Sequence, residues 1–160
     1  MISLRFAQSE ADSELLLKWR NDPFICQHFN NPKPVNRAEH VRWFEGAIMN
    51  SNCRLFIIEL VTDLHETPRT PLGSKFPIGQ IRFDREGVSC EISIGIPEAH
   101  TGKGYGTEAI RQGCQRVGKI WPGIDVLARF VPNNCPSKGA FRKAGFVPAN
   151  ETSTTMMWKP

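Results

Sequence analysis

A glycine-rich segment in the second half of the chain is the strongest candidate for chemistry. It runs from Thr101 to Gly106 with the sequence TGKGYG, follows an apolar stretch that ends at Ile96, and leads into a helical pattern from about Thr107. Glycine lets a backbone approach a ligand closely, and free N–H groups at the positive end of a helix dipole attract phosphate. The segment is therefore predicted to hold a diphosphate without a metal ion.

Other phosphate-binding loops do not fit this segment. The P-loop pattern requires a Gly-Lys pair followed by Ser or Thr, and the dinucleotide fingerprint requires the spacing G-x-G-x-x-G. Neither pattern occurs in the TGKGYG segment. A tight strand-to-helix connection without a ligand is the alternative that the loop alone leaves open.

The chain has the size and composition of one globular domain, which we place at residues 1–160. Of its 160 residues, 40% are apolar and 22% are charged, close to the usual balance of a folded domain. The net charge of +4 comes from basic residues spread along the chain, without a dense stripe or a nucleic-acid motif. A small anionic ligand is therefore predicted rather than nucleic acid.

The five cysteines show no pairing pattern. They are widely spaced and contain no C-x-x-C pair: Cys26, Cys53, Cys90, Cys114 and Cys135. This predicts neither a disulfide framework nor a metal site and favours reduced thiols in a cytoplasm. No charged segment precedes a long apolar stretch at the N-terminus, and no run approaches the ~18 apolar residues of a membrane span, so neither a signal peptide nor a membrane anchor is expected.

Hydrophobic spacing divides the chain into alternating strands and helices. Strands are predicted at residues 2–7, 55–61, 77–84, 88–96, 124–131, 146–147 and 154–158. A first helix is predicted to end at residues 21–23, and three more are predicted at 36–49, 107–117 and 136–144. Residues 62–77 are predicted to form a long connection. This order predicts an α/β (α+β) domain with a mixed, mostly antiparallel sheet and helices on both faces.

Motifs downstream of the loop complete a family pattern. Asn134 is followed three residues later by Ser137, and the predicted helix that contains Phe141 ends in a Gly-Phe pair at residues 145–146. With the loop, these motifs make residues 94–146 resemble the GCN5-related N-acetyltransferases, whose core signature is [Q/R]-x-x-G-x-[G/A]. The resemblance implies one domain of that type with strands four and five splayed apart. It also implies direct acetyl transfer from acetyl-CoA to a primary amine, without a metal.

The same resemblance implies a set of residues that hold acetyl-CoA. They are Ile94, Gly95, Ile96, Thr101, Gly102, Lys103, Gly104, Tyr105, Gly106, Thr107, Asn134, Ser137 and Phe141. Thr101 stands where the family usually has Gln or Arg, so a hydroxyl or Lys103 is expected to supply that phosphate contact. Phe141 stands where many relatives carry a tyrosine that protonates the thiolate, so solvent is expected to do this. Capping of the following helix is an alternative role for Asn134 and Ser137 that is compatible with cofactor binding.

The acceptor amine must be neutral to attack, which requires a base. Glu91 on predicted strand four is the first candidate, because relatives often place a glutamate there; a solvated surface carboxylate is the alternative. Glu59, which interrupts an apolar strand, and His100, which precedes the loop, are reserves. Cys90 and Cys135 are not expected to form an acyl-enzyme, because neither has a histidine near it in sequence.

The first third of the chain narrows the choice of acceptor. Residues 15–23, 29–30 and 39–44 resemble the N-acetyltransferases of bacterial nonulosonate pathways, which include those acting on the 4-amino group of a UDP-linked 4-amino-4,6-dideoxy sugar in pseudaminic acid synthesis. Arginines and aromatic rings suit a pyrophosphate and a uracil. The candidates are Trp19, Arg20, Phe29, His40, Trp43 and Arg82.

Alternatives remain open for these residues and for the acceptor. The aromatic candidates could instead pack in the core, and Arg20 could serve the dipole at a helix end. A protein N-terminal amine or a polyamine is an alternative acceptor, and a CoA-binding regulatory module without catalysis is an alternative of another class. A homodimer is implied by the resemblance alone.

Overall fold

A seven-stranded sheet organises the chain in the computed structural model, which describes residues 1–28, 31–62, 73–130, 135–149 and 154–158. The strands are β1 (Ile2–Phe6), β2 (Cys53–Val61), β3 (Lys75–Glu86), β4 (Ser89–Gly95), β5 (Asp125–Arg129), β6 (Val147–Pro148) and β7 (Thr155–Trp158). Their order across the sheet is β1-β2-β3-β4-β5-β7-β6. β4 and β5 run parallel and the other neighbouring pairs run antiparallel, so the connection from β4 to β5 must cross over one face of the sheet.

Helices cover both faces of this sheet. They are α1 (Glu10–Arg20), α2 (Pro23–Cys26), α3 (Arg37–Met49), α4 (Tyr105–Ile120) and α5 (Cys135–Lys143), with a short 3-10 helix at Glu98–His100. On one face, residues of α1, α3 and β2 form a core: Leu16, Trp19, Phe44, Leu55 and Ile57. On the other face, α4 and α5 pack on the middle strands through a second core: Phe83, Ile110, Val117, Val126 and Phe141.

A charged cluster fixes α1 to the sheet. Ser9 and Asp12 form a capping box at the start of α1, and the buried Asp12 carboxylate also accepts two hydrogen bonds from the Arg5 guanidinium, at 2.7 and 2.8 Å. Arg5 donates a third bond to the carboxylate of Glu59 at 2.7 Å. Because Arg5 lies on β1 and Glu59 on β2, the cluster joins the helix to two strands.

The predicted architecture is confirmed, with differences at its edges. The structure is a single α/β domain with a mixed sheet and helices on both faces. Helix α4 begins at Tyr105, two residues before the predicted start, and therefore inside the glycine-rich loop. The predicted stop at residues 21–23 is confirmed, because α1 ends at Arg20 with Asn21 as its C-cap. The same segment also starts α2, since Asp22 caps that helix and Pro23 occupies its first turn. Most of the predicted connection at 62–77, residues 63–72, lies outside the described residues.

Candidate active site

The parallel strands β4 and β5 separate at their carboxyl ends. Their described pairing ends at Ile92 with Ala128, whereas β4 continues to pair with β3 as far as Gly95, which faces Gln80. A cleft of about 980 Å³ opens where the two strands part. Its described lining includes Ser93, Ile94, Gly95 and Ile96 from β4 and the residues just after it. The separation leaves backbone groups on this edge of β4 for a ligand, because buried backbone N–H and C=O groups need partners.

The glycine-rich loop and the start of α4 form one end of the cleft. Gly102 and Gly104 have φ angles of +72° and +82°, a conformation that side chains disfavour. Gly104 is the N-cap of α4 and makes no side-chain capping bond. The N–H groups of the first turn, in particular those of Gly106 and Thr107, therefore have no partner within the helix. Gly102, Gly104, Tyr105, Gly106 and Thr107 all line the cleft.

This end of the cleft fits a diphosphate. The positive end of a 16-residue helix and its free N–H groups lie in the wall of an open cleft, where an anion can approach them.

The polar side chains of the loop bond within the loop. Thr101 lines the cleft, and its hydroxyl donates to the carbonyl of Glu98 at 2.9 Å. The ammonium of Lys103 donates to the carbonyl of Ala99 at 2.9 Å, and Lys103 is not among the described lining residues. Direct phosphate binding by Lys103 would require its exposed side chain to rotate away from that carbonyl.

Helix α5 lines the cleft on the same face of the sheet as α4. Ser137, Ala140 and Phe141 line the cleft there. Phe141 is 3% exposed and makes edge-to-face contacts with Phe130 and Phe146, at centroid distances of 5.3 and 4.9 Å. The ring therefore builds an apolar wall and has no proton to transfer. Asn134, the other residue predicted from this motif, lies outside the described residues.

The second face of the split β4–β5 pair presents polar groups. Glu91 alternates with the buried Ile92 along β4, so its side chain points away from the α4 core. Arg129 at the end of β5 donates from Nη1 to Oε2 of Glu91 at 2.5 Å. Both residues line the cleft, and both are partly exposed. The cleft thus joins the side formed by the glycine-rich loop, α4 and α5 to a charged side through the gap between the strands.

Helix α2 closes the charged side. Phe24, Ile25, Gln27 and His28 line the cleft, and Ile25 sits over β4, since a Cβ on Gly95 would lie 3.5 Å from its Cγ2. The sequence-based candidates do not include these lining residues, because only a helix stop is predicted at the Asn-Asp-Pro segment. The available signal was the Asp-Pro pair, which also favours the start of a helix. Arg129 is absent from those candidates as well, because it lies in a strand with no motif around it.

Two predicted acceptor residues lie in the interior. Trp19 is 6% exposed within the core beneath α1, and His40 is 3% exposed. The imidazole of His40 lies 2.9 Å from the carbonyl oxygen of Ser13, which can only accept, so Nε2 carries the proton. Burial lowers the pKa of His40 although the bond to Ser13 opposes this shift. The prediction that these two residues contact the acceptor is therefore corrected: they hold α1 and α3 together.

The remaining acceptor candidates stand beside the cleft or outside the described residues. Arg20 donates to Sγ of Cys26 at 3.3 Å and to the carbonyl of Asn31 at 2.9 Å, so it braces the chain after α2. Arg82 forms an ion pair with Asp84 at 2.7 Å and lies 5.3 Å from the centre of the Trp43 ring, which is 39% exposed. Phe29 lies outside the described residues.

Of the two reserve candidates for the general base, one lines the cleft and the other does not. Glu59 is buried on β2 and bonded to Arg5, so it does not reach the cleft. His100 lines the cleft. Burial raises the pKa of the Cys90 thiol to about 12, which agrees with its expected inertness. For Cys135 the side chain lies outside the described residues.

The sequence matches a family model described as an acetyltransferase (GNAT) domain over residues 2–147. The chain belongs to this acetyltransferase family. It is an acetyl-CoA-dependent N-acetyltransferase, and the cleft at the β4–β5 split is its candidate active site. A comparison with curated protein sequences finds no match. Within the described ranges, no group of three or more His, Cys, Asp or Glu side chains could hold a metal ion, and no helix has the length and apolarity to cross a bilayer.

Solved structures share the fold at low sequence identity. A domain from Methanocaldococcus jannaschii superposes with a TM-score of 0.79 at 22% identity, covering 100% of this chain and 97% of that one. The aminoglycoside acetyltransferase AAC(6')-Ib in complex with coenzyme A has a TM-score of 0.75 at 16% identity, with 99% and 95% covered. Spermidine N-acetyltransferase from Vibrio cholerae, in complex with CoA and spermine, has a TM-score of 0.76 at 17% identity, with 99% and 92% covered.

Proposed function

We propose that this acetyltransferase acts on the amine of a nucleotide-linked amino sugar, specifically the 4-amino group of a UDP-linked 4-amino-4,6-dideoxy sugar. The charge of the acceptor side carries the proposal. Among the described residues that line the cleft, Glu91 is the sole carboxylate, and Arg129 neutralises it. Such a surface has no excess of negative charge to attract a polycation, and its arginine suits an acceptor that carries phosphate.

The similar solved structures suggest other acceptor classes but do not decide which amine this chain acetylates. One is named for aminoglycosides and another was solved with spermine, and both ligand classes are polycations. These proteins share only the fold with the present chain, at 16 and 17% identity. An acceptor cleft for a polycation is expected to collect several unpaired carboxylates, and the described lining here does not.

The residues divide the reaction between them. The loop at 101–106 and the first turn of α4 are proposed to hold the CoA diphosphate, with Ser137 and Phe141 bounding the pantetheine arm. Bound acetyl-CoA supplies a thioester carbonyl, at which a C–N bond forms as the C–S bond breaks. Glu91 is proposed to take one proton from the acceptor ammonium before attack, directly or through water. Because Phe141 cannot donate a proton, we propose that solvent protonates the departing thiolate and accepts the second proton that the nitrogen loses as the amide forms.

A thiol-release assay with a panel of amines tests the proposal. The panel contains a UDP-linked 4-amino-4,6-dideoxy sugar, spermidine, kanamycin and a peptide with a free N-terminus, each with saturating acetyl-CoA. We expect the UDP-linked sugar to have the highest kcat/KM and E91Q to lower its kcat by roughly 100-fold, the usual size of a general-base contribution. Preference for a polyamine or a peptide would refute the acceptor assignment. Tight CoA binding without turnover of any amine would favour the regulatory module instead.

A further inference from the structure

The ion pair between Glu91 and Arg129 bridges the mouth of the split in the sheet. The two residues come from strands whose described pairing ends at the neighbouring Ile92 and Ala128. The guanidinium lies 2.5 Å from Oε2 of Glu91, and the side chains of Arg129 and Glu91 are 61% and 44% exposed. The pair therefore lies in the cleft, beside the gap between the two strands.

This position creates competition for one carboxylate oxygen. An amine that transfers a proton to Glu91 must come within hydrogen-bond reach of a carboxylate oxygen, and Nη1 of Arg129 already occupies one of the two, Oε2. Exposed ion pairs are weak, since water screens both charges. The contact can thus be exchanged for another at little cost.

An anionic acceptor group offers arginine a better partner. The guanidinium fork matches a phosphate with two parallel N–H···O bonds, whereas its contact with Glu91 uses a single nitrogen. Moving Arg129 onto a phosphate would leave Oε2 of Glu91 open to the ammonium of the same acceptor. Binding of the anion and exposure of the base would then be one event.

We propose that Arg129 is the specificity-determining residue for the acceptor: it binds a phosphate group of the acceptor and, by leaving Glu91, opens that carboxylate to the amine. The inference rests on the proposed function for the identity of the phosphate-bearing acceptor. The arginine itself acts on binding and positioning, and the proton moves from the ammonium nitrogen to the Glu91 carboxylate.

The chain contains a matched control for this arginine. Arg37 on α3 pairs with Glu14 at 2.6 Å and more weakly with Glu10 at 3.5 Å. The side chains of Arg37 and Glu14 are 62% and 46% exposed, close to the values for the pair at the cleft. Arg37 is not among the described lining residues. R129Q and R37Q therefore each remove one exposed, ion-paired guanidinium, at one site inside the cleft and at another outside it.

Calorimetry with UDP and with inorganic pyrophosphate tests the anion contact. The protein is first saturated with CoA, so that added anions cannot use the cofactor phosphate sites. We expect both probes to bind the CoA-loaded wild type and R37Q alike, and R129Q to bind them on the order of 10- to 100-fold more weakly, as loss of a charge-assisted hydrogen bond predicts. Equal binding to wild type and R129Q, or no binding to the wild type, would overturn the inference.

Turnover separates a specific contact from a structural one. With the UDP-linked amino sugar, R129Q should raise KM and abolish the fall of kcat/KM with ionic strength, while R129K should recover part of both effects. The methyl glycoside of the same amino sugar has no phosphate to draw Arg129 from Glu91, so R129Q, which frees Oε2, should raise kcat/KM with this acceptor. Equal losses on both acceptors would indicate a structural role and contradict the inference. If the wild type binds UDP through Arg129 but acetylates neither sugar, the proposed acceptor fails and the anion site stands.

Discussion

Gly113 sets the distance between α4 and the sheet, so replacing it by alanine should separate them. A Cβ at this position would lie 2.7 Å from Cζ and 2.9 Å from Cε2 of Phe83, and 3.1 Å from Cδ1 of Ile81. Ordinary carbon contacts lie at about 3.5–4.0 Å, so helix and ring must separate by roughly 1 Å. Phe83 and Ile81 are both 0% exposed and have no free space to enter.

The expected cost follows from two opposing effects. Overpacking a core costs about 1–3 kcal/mol, whereas alanine gains about 1 kcal/mol over glycine within a helix. G113A should therefore be less stable than wild type by about 0–2 kcal/mol. Gly46 in α3 has no atom within 4 Å of the position that a Cβ would occupy, so G46A should show the helix gain without the clash.

Urea unfolding of wild type, G113A and G46A measures both effects. G113A should be less stable than G46A by about 1–3 kcal/mol, the overpacking cost freed of the propensity gain. Because α4 also carries the turn proposed to bind the CoA diphosphate, G113A should raise the KM for acetyl-CoA more than G46A does. The reasoning is refuted if G113A is as stable as G46A.

Three further predictions concern titratable groups. Burial alone would raise the pKa of Asp12, but the bonds from Arg5 and from the backbone hold it well below its usual range. The stability that ionised Asp12 contributes should therefore be fully present above about pH 4 and be lost as the pH falls further. Urea unfolding measured against pH should show a shallower fall in D12N than in the wild type. Burial lowers the pKa of His40. The folded state should therefore lose stability as the pH falls below about 6.5, the pKa of histidine in the unfolded chain. H40Q should remove that part of the pH dependence, and an unchanged pH profile in H40Q would contradict the prediction. Burial raises the pKa of Cys90 to about 12. Iodoacetamide at about pH 8, well below that pKa, should therefore leave Cys90 unmodified in the folded protein, which peptide mass mapping would measure. C90A should retain acetyl transfer.

The fold was accessible from the sequence where local patterns and tertiary structure agree. Alternating apolar residues and helical spacing predicted the strands and the long helices, because each buries one face. The predicted start of α4 lies two residues too late, because Gly104 and Gly106 lower the helix propensity of this segment. The helix nevertheless begins between them, at Tyr105. Helix α2 escapes prediction for a related reason: four residues give no periodicity, and its capping residues also form turns.

The site was predictable where it depends on backbone and not where it depends on side-chain contacts. The loop contains backbone positions with positive φ angles, and glycines in the sequence mark such positions. The acceptor side required knowledge of which residues face each other across the β4–β5 split, and the Glu91–Arg129 contact joins positions 38 residues apart. Trp19 and His40 have the right chemistry for a sugar nucleotide, but only the packing of α1 against α3 shows that they are buried.

Calorimetric titration of CoA into the wild type, G104D and G123D tests the central claim most directly. Gly104 and Gly123 have φ angles of +82° and +78° with no atom near a prospective Cβ, so aspartate strains both backbones alike, but Gly104 alone of these two lines the cleft. If the start of α4 holds the CoA diphosphate, G104D places a negative charge against it and should weaken binding by more than about 100-fold. G123D should bind CoA as the wild type does. Wild-type affinity in folded G104D would contradict the assignment of this loop as the cofactor site.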